Sequence, residues 1–373
     1  MKRVVHLSSV HPAFDVRIFH KECRSLSEAG YEVHLVIQAE RDSVRDGVYI
    51  HALKKPKNRM MRMTRTVWEA FGKARSLKGD IYHFHDPELL PVGFLLQALG
   101  ERVVFDVHEN ISAQILDKYW LRYPRLIGAV YSWLERLFIR RGMQVVLAEK
   151  SYREHYAGIS PDCLTLLNYP RAPQQPIVPY EDRTDSIIYV GVIGPIRGLD
   201  QILEALAILR KKGLSPRFDC VGSFYSLDYE KSSREKVKRL GLGDMVCFHG
   251  WRDNKEALQL MGRSKIGLSI MLPIPNYIES YSTKIFEYMA LEIPFVVSDF
   301  PIYRDIISYA GKCGIPVDPL NPQAIADSME YLLTHPDEAA RMGQRGRRAI
   351  ESKYNWHVEE KKLLALYARL LKT

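Results

Sequence analysis

Glu279 and Glu287 stand eight positions apart in ESYSTKIFEYMALEIPFVVSD (279–299), with Ser282, Thr283 and Lys284 between them. An ionised carboxylate accepts hydrogen bonds from two hydroxyls at once, which suits a ribose diol or the hydroxyls of a sugar. The apolar spacing starts a helix around Ser282 and places Glu287 a turn or more along it. Hydroxyls, backbone N–H groups and an ammonium would then gather at a helix start, where a diphosphate is favoured. For two carboxylates at arbitrary spacing, a loop cap at Glu279 and a wet helix residue at Glu287 remain open. A second anion-suited segment is GVIGPIRG (191–198), between an apolar run and the helical LDQILEALAILRKK. Its glycines, Gly194 among them, allow close backbone approach, and Arg197 adds a cation at the lip. It matches neither GxGxxG nor the phosphate-loop pattern, so an ordinary strand-to-helix turn is the alternative. His108 closes an apolar run in DVHE, ahead of Glu109, and His85–Asp86 closes another in YHFHD. A lone histidine at a strand end is more often structural than chemical.

These residues need a scaffold, and the apolar pattern supplies one. KRVVHLSS (2–9), YEVHLVIQ (31–38), DIYHFH (80–85), RVVFDVH (102–108) and MQVVLAE (143–149) read as strands buried on both faces. Helical spacing recurs near 17–29, 62–77, 89–99 and 124–141. The rhythm breaks at the proline-rich NYPRAPQQPIVPYEDRTD (168–185) and resumes with SIIYVGV, RFDCVG, MVCFHG, KIGLSI and PFVVSD, before a last helix over 355–371. Strands alternating with helices predict an α/β fold of two Rossmann-like doubly wound domains. The expected bounds are 1–170 for the N-terminal domain, 171–186 for the linker, 187–352 for the C-terminal domain, and 353–373 for a helix packing back towards the N-terminal domain. In such sheets ligands bind beyond the carboxyl ends of the strands, where the residues above fall.

Composition narrows the function classes. The chain has 373 residues, 46% hydrophobic and 26% charged, enough apolar material for two cores. Its start, MKRVVHLSSVHP, has too short an apolar run for a signal peptide, and no stretch approaches the roughly 18 apolar residues of a membrane span. A cytoplasmic location is expected. Cys23, Cys163, Cys220, Cys247 and Cys313 form no CxxC pair, which favours buried reduced thiols over disulfides or zinc. No Asp-x-Asp occurs, so a metal-bridged diphosphate site has no obvious ligands, and no metal or cofactor is expected.

The net charge of +9 is uneven: +7 falls in residues 1–180 and +2 in 181–373. Residues 54–78 hold nine basic residues against Glu69 alone, and residues 118–141 mix six with Tyr119, Trp120, Tyr123, Tyr131, Trp133 and Phe138. Basic amphipathic stretches with aromatics suit an anionic bilayer surface. Equally open is a core-facing stripe of Met60, Val67, Phe71 and Ala74 with a merely wet charged side. Nucleic acid is disfavoured, because no helix-turn-helix, zinc or RNA-binding aromatic motif accompanies the charge.

The Glu-x7-Glu segment resembles the motif of retaining glycosyltransferases of GT-B fold, family 4, the glycosyl transferases group 1. The likeness extends along most of the chain: YVGVIGPIRGLDQILEAL resembles the diphosphate-binding turn, VCFHGWRDNKEALQLMGRSKIGLSI the stretch beneath the base, and NWHVEEKKLLALYARLL the C-terminal helix. HPAFDVRIFHKECRSLSEAGYEV, YHFHDPELLPVG and VFDVHEN resemble a bacterial subgroup of surface-polysaccharide assembly. The resemblance implies that Glu287 holds the donor ribose and Glu279 contacts sugar hydroxyls near the reacting centre. It implies that Arg197 and Lys284 neutralise the diphosphate, and that His108 is the active-site histidine. It also implies an interdomain cleft, front-face attack assisted by the leaving phosphate, and a Ser9–Arg17 loop over the donor phosphates with Asp15 and Arg17. The resemblance gives His6, His83 and His85 no role; His85 and Asp86 are acceptor-side candidates only because they follow a strand. Three departures stand out: Val192 replaces the first basic residue of the turn, SSVHPAF carries no glycine, and Ser280–Tyr281–Ser282 replaces Gly–Phe–Gly. The implied donor is a nucleoside-diphosphate sugar, foremost a UDP-sugar. The implied acceptor is a glycan hydroxyl, lipid-linked in one version, at the inner face of the cell membrane. A nucleotide-sugar epimerase or phosphorylase, a dinucleotide-dependent oxidoreductase and a non-catalytic nucleotide-sugar-binding protein are the competing readings.

Overall fold

The computed structural model describes the chain except for residues 110, 112–114, 116–121, 172–175 and 373, and the side chains of 275 and 276. Lys118, Tyr119 and Trp120 of the basic aromatic stretch, and residues 172–175 of the proline-rich segment, lie outside the described residues. Two compact units emerge: Met1–Asn168 with Trp356–Thr373, and Tyr169–Asn355.

The first unit is built on β1 (Arg3–Pro12), β2 (Glu32–Gln38), β3 (Ser43–Arg45), β4 (Val48–Leu53), β5 (Ile81–Phe84), β6 (Val103–Val107), β7 (Gln144–Leu147) and β8 (Leu164–Thr165). They form one sheet in the order β3-β4-β2-β1-β5-β6-β7-β8. All its pairings are parallel except β3 with β4. Helices cover both faces, which is why Val4, Val5 and Leu7 on β1 and Val33, Leu35, Val36 and Ile37 on β2 are all buried. The β3–β4 hairpin is absent from the strands that the sequence predicts. It turns on Asp46 and Gly47, whose φ values of 49° and 76° suit a tight hairpin. The last helix, Trp356–Lys372, belongs to this unit. Trp356 donates its indole N–H to Ser25 Oγ at 2.8 Å, and Glu359 accepts the Leu167 N–H at 3.0 Å. Buried Trp356, Leu363, Leu366 and Tyr367 complete one apolar cluster of the first unit, each contributing about 1.5–3 kcal/mol through burial.

The second unit contains β9 (Thr184–Val190), β10 (Arg217–Val221), β11 (Val246–Gly250), β12 (Ser264–Ser269), β13 (Phe295–Ser298) and β14 (Gly314–Val317). Their order is β11-β10-β9-β12-β13-β14, and every pairing is parallel. Strand order reverses at β9 and β12, the switch point where doubly wound sheets take ligands at their carboxyl ends. In the first unit the same reversal falls at β1 and β5.

Two surface features bear on the basic segments. Within the helical run Arg59–Ser76, Val67 and Ala74 are buried, Phe71 packs against the core, and Met60 is 76% exposed. Helix Pro124–Ile139 leaves Leu126, Val130, Trp133 and Leu137 exposed at a spacing of three to four residues. No helix of the described residues is long and apolar enough to cross a membrane. Cys23, Cys163, Cys220 and Cys313 are buried free thiols and Cys247 is half-buried.

Candidate functional site

In the second unit, three chain segments meet at the switch point. After β9, Gly191 adopts a φ of 134°. A Cβ on neighbouring Gly222 would lie 2.0 Å from the Gly191 carbonyl oxygen, so the two turns pack backbone to backbone. Tyr189 donates its hydroxyl to the Val192 carbonyl at 2.8 Å and fixes the turn. Buried Gly194 leads into the short 3₁₀ turn Pro195–Arg197, and Gly198 at φ 72° starts helix Leu199–Lys211. A Cβ on Gly198 would meet the Ile270 carbonyl oxygen at 2.4 Å, which locks this helix start against the end of β12.

Arg197 is half-buried, with its guanidinium 4.6 Å from the centre of the Tyr277 ring and Nη1 3.9 Å from Met271 Sδ. Lys284 is buried in the first turn of helix Thr283–Ala290, and its ammonium lies 4.6 Å from the centre of the Tyr189 ring. The Cβ position of Gly191 is 3.6 Å from Lys284 Nζ, so the ammonium stands beside the turn that lacks a basic residue at Val192. Burial, then repulsion from Arg197, pull the Lys284 pKa down to about 7, with Glu287 opposing. Two cations that repel one another, one of them with its charge suppressed, form a cationic pair that an anion would stabilise.

The remaining predicted residues of this unit line the same loop and helix. Ser282 is the N-cap residue of the Thr283–Ala290 helix, but its hydroxyl bonds to Ser269 Oγ at 3.0 Å instead of capping. Thr283 is exposed at the first helical position, and Glu287 is half-buried one turn further on. Glu279 is exposed at the end of the short helix Pro275–Ile278. Buried Tyr303 anchors the loop after it by donating to the Ser280 carbonyl at 3.1 Å.

In the first unit, β1, β5 and β6, with the residue just past each of the last two, carry polar residues at alternate positions: His6 and Ser8, His83 and His85, Asp106 and His108. Register pairs His6 with His83 and Val104 with His83, so the three sets fall on one face of the sheet. His108 Nε2 is 2.7 Å from Asp106 Oδ2, and His85 Nδ1 is 3.2 Å from the same oxygen. His85 continues to His6 at 2.9 Å, and Tyr367 of the last helix bridges His6 at 3.0 Å and His83 at 2.8 Å. Burial pushes the His85 pKa down to about 4 and those of His6 and His83 well below the ordinary value, so all three are neutral near pH 7.

Arg17 and Asp15 occupy structural places. The Arg17 guanidinium is buried, donates to both oxygens of Asp106 at 2.8 and 2.9 Å and to the Leu166 carbonyl, and pairs with Glu22 at 3.0 Å. Asp15 accepts the N–H groups of Arg17 and Ile18 at the entry to the π-helical turn Ile18–Cys23. Ser9 to Pro12 extend β1 as strand. Asp86 is buried, accepts from Ser8 and Ser9 and pairs with His11; burial opposes its charge, yet the His11 contact and these hydrogen bonds bring its pKa down to about 2. Glu109 is exposed beside His108. Sequence reasoning missed Asp106, Glu22 and Tyr367. The available signal was the shared two-residue spacing of polar side chains at the ends of three otherwise apolar strands.

Comparison with known proteins matches residues 173–349 to the family model "Glycosyl transferases group 1" and residues 16–162 to "Glycosyl transferase 4-like domain". The chain is 23% identical over 313 residues to the MMP alpha-(1->4)-mannosyltransferase of Mycolicibacterium hassiacum, covering 79% of this chain and 72% of that protein. It is 23% identical over 292 residues to the alpha-D-kanosaminyltransferase of Streptomyces kanamyceticus, covering 73% and 72% respectively. Among solved structures, Anabaena HepE in complex with UDP and glucose superposes with a TM-score of 0.74 at 13% identity, covering 99% of this chain and all of that one.

Proposed function

We infer the activity from the family: this chain belongs to the glycosyl transferases group 1, of GT-B fold, and transfers a sugar from a nucleotide sugar. The finer reading is a UDP-sugar donor, a glycan hydroxyl as acceptor in bacterial surface-polysaccharide assembly, and retention at the anomeric carbon. The observation that carries it is the juxtaposition of Arg197 and Lys284 beside the Gly191 turn. A diphosphate leaving group gains negative charge in the transition state, and fixed cations with a helix N-terminus are suited to stabilise it without a metal. Glu287 takes the ribose hydroxyls and Glu279 the sugar hydroxyls. Anabaena HepE, which shares the fold, is solved with UDP and with UDP-glucose, which favours uridine as the base to try first. In the retaining step the acceptor oxygen bonds to the anomeric carbon on the face from which the diphosphate departs. The departing phosphate oxygen takes the acceptor proton, and His108 contacts the donor sugar.

The reading extends to an acceptor at an anionic bilayer, on the inner face of the cell membrane. The support is the exposed Leu126–Val130–Trp133–Leu137 stripe together with exposed Met60, Met63 and Trp68 among the basic residues of 54–78.

The test is a thermal-shift screen of nucleotides followed by assays of UDP-glucose turnover. A ligand at about 100 times its Kd stabilises its protein by about 2.7 kcal/mol, a readily measured shift. UDP should produce it, Glu287→Ala should abolish it, and Glu279→Gln should retain it while losing turnover. No shift with any nucleotide overturns the donor site. Unaltered turnover in Glu279→Gln removes its catalytic role. Products other than a glycoside favour the epimerase or phosphorylase reading, and UDP binding with no turnover at all favours a binding protein.

A further inference from the structure

The polar column of the first unit ends on His108, and its hydrogen bonds define which atom that imidazole has free. We propose that Asp106 is a positioning residue: its carboxylate takes the Nε2–H of His108, so that Nδ1 is the lone pair His108 offers to a ligand hydroxyl. The inference rests on the role in sugar transfer assigned above to His108.

Asp106 is fully buried and clamped by the two guanidinium bonds from Arg17. Burial opposes its ionisation, yet Arg17 and then His108 hold its pKa well below the usual carboxylate range, so it is an acceptor only. Both nitrogens that face it must therefore carry hydrogens: Nε2 of His108 at 2.7 Å and Nδ1 of His85 at 3.2 Å. The rest of the column then has one consistent assignment. His85 Nε2 accepts from His6 Nδ1–H, His6 Nε2 accepts from the Tyr367 hydroxyl, and the Tyr367 oxygen accepts from His83 Nδ1–H. Moving any one proton to the other nitrogen of its ring leaves a neighbouring pair facing lone pair to lone pair. The chain ends at His83 Nε2, buried without a hydrogen-bond partner, as an acceptor with nothing to accept.

His6, Glu22, His83 and His85 also have the spacing of a buried metal cluster. Both ring nitrogens of His6 and of His85 are already engaged in the column, so a cation would have to dismantle the hydrogen bonds that order it. The column reads as a directional support for one half-buried imidazole. His108 is confined by His85 edge-on at 5.4 Å and by His11 tilted at 5.2 Å between ring centres, which hold the ring plane in place. Among the described residues no hydrogen bond occupies its Nδ1.

The experiment is nitrogen NMR on protein labelled at histidine, with the His108 signals assigned by their loss in His108→Gln. Wild-type protein should show His108 as the Nε2–H tautomer, and Asp106→Asn should shift it towards Nδ1–H. In the same variant kcat for UDP-glucose turnover should fall about 100-fold, as for a misplaced catalytic group, while KM moves less than about twofold. A wild-type His108 bearing its proton on Nδ1 overturns the proposal, as does an Asp106→Asn protein with unchanged tautomer and kcat. Asp106→Asn leaves Arg17 facing Glu22 alone; if that variant does not fold, the wild-type spectrum decides. If His108→Gln leaves turnover intact, the role of His108 in transfer fails, and the tautomer measurement still decides the role of Asp106.

Discussion

Lys284 gives a sharp test of the donor site, because its charge is conditional. The groups facing its ammonium are the Tyr189 ring, Arg197, Glu287 and Cys220, and burial with the Arg197 repulsion takes its pKa from 10.5 to about 7. At about 1.4 kcal/mol per tenfold change in proton affinity, holding this lysine charged in the empty protein costs on the order of 4–5 kcal/mol. The sign follows from proton counting. Between pH 7 and 10.5 the folded protein binds fewer protons at Lys284 than the unfolded chain, so this group makes stability rise with pH across that window. Lys284→Met should therefore stabilise the empty protein, most strongly below pH 7, with the gain fading towards pH 10.5. Binding has the opposite sense. A diphosphate raises the pKa again, so at pH 8, where about nine-tenths of the free lysine is neutral, UDP should bind with uptake of about 0.9 proton. Below pH 7 the variant should bind UDP roughly 10- to 100-fold more weakly, the loss of one hydrogen bond to a charged group. Isothermal titration at pH 8 in two buffers of different ionisation enthalpy counts the protons directly. Equal uptake by wild type and Lys284→Met refutes the placement of this ammonium on the diphosphate.

Two further predictions are independent of the chemistry. Gly198→Ala combines a φ of 72° with a contact of 2.4 Å to the Ile270 carbonyl oxygen, and should destabilise by roughly 2–4 kcal/mol. Gly213→Ala, at φ 83° with no atom within 4 Å of the added Cβ, is the control; it should cost only about 1 kcal/mol in denaturant unfolding. For the membrane face, replacing Arg59, Arg65 and Trp133 should weaken cosedimentation with anionic vesicles and leave UDP binding unchanged. Arg62 is a poorer probe because it pairs with Glu88 at 2.7 Å. Unchanged sedimentation would mean that the charge of the first half serves only solubility.

The parts legible in the sequence were those whose determinants are local. Parallel strands buried on both faces are continuous apolar runs, so β1, β2, β5, β6 and β7 stand out in the sequence. The β3–β4 hairpin did not, because SVR (43–45) is short and fully exposed and only Asp46–Gly47 announces the turn. The same distinction divides the two parts of the site. Glu279, Ser282, Thr283, Lys284 and Glu287 lie within one loop and one helix, so linear spacing already carries their geometry. Arg197 reaches Lys284 only through the closure of β9 against β10 and β12, yet the glycines that permit that closure are contiguous with it.

The polar column of the first unit has no linear form at all. Arg17 meets Asp106 across 89 positions and Tyr367 meets His6 across 361. Arg17, grouped with the donor phosphates on resemblance, has its guanidinium committed to a carboxylate that no spacing within HPAFDVR discloses. The physical reason is the cost of burying charge. A guanidinium this deep in the fold persists only where fixed acceptors surround it, and here those acceptors come from β6, from the π-helical turn and from the Leu166 carbonyl. The two units therefore treat charge oppositely. The first closes Arg17, Asp106 and Glu22 on one another and leaves the half-buried His108 imidazole at the end of the column. The second holds Arg197 and Lys284 against aromatic rings, their mutual repulsion opposed by Glu287 and open to further relief by an anion.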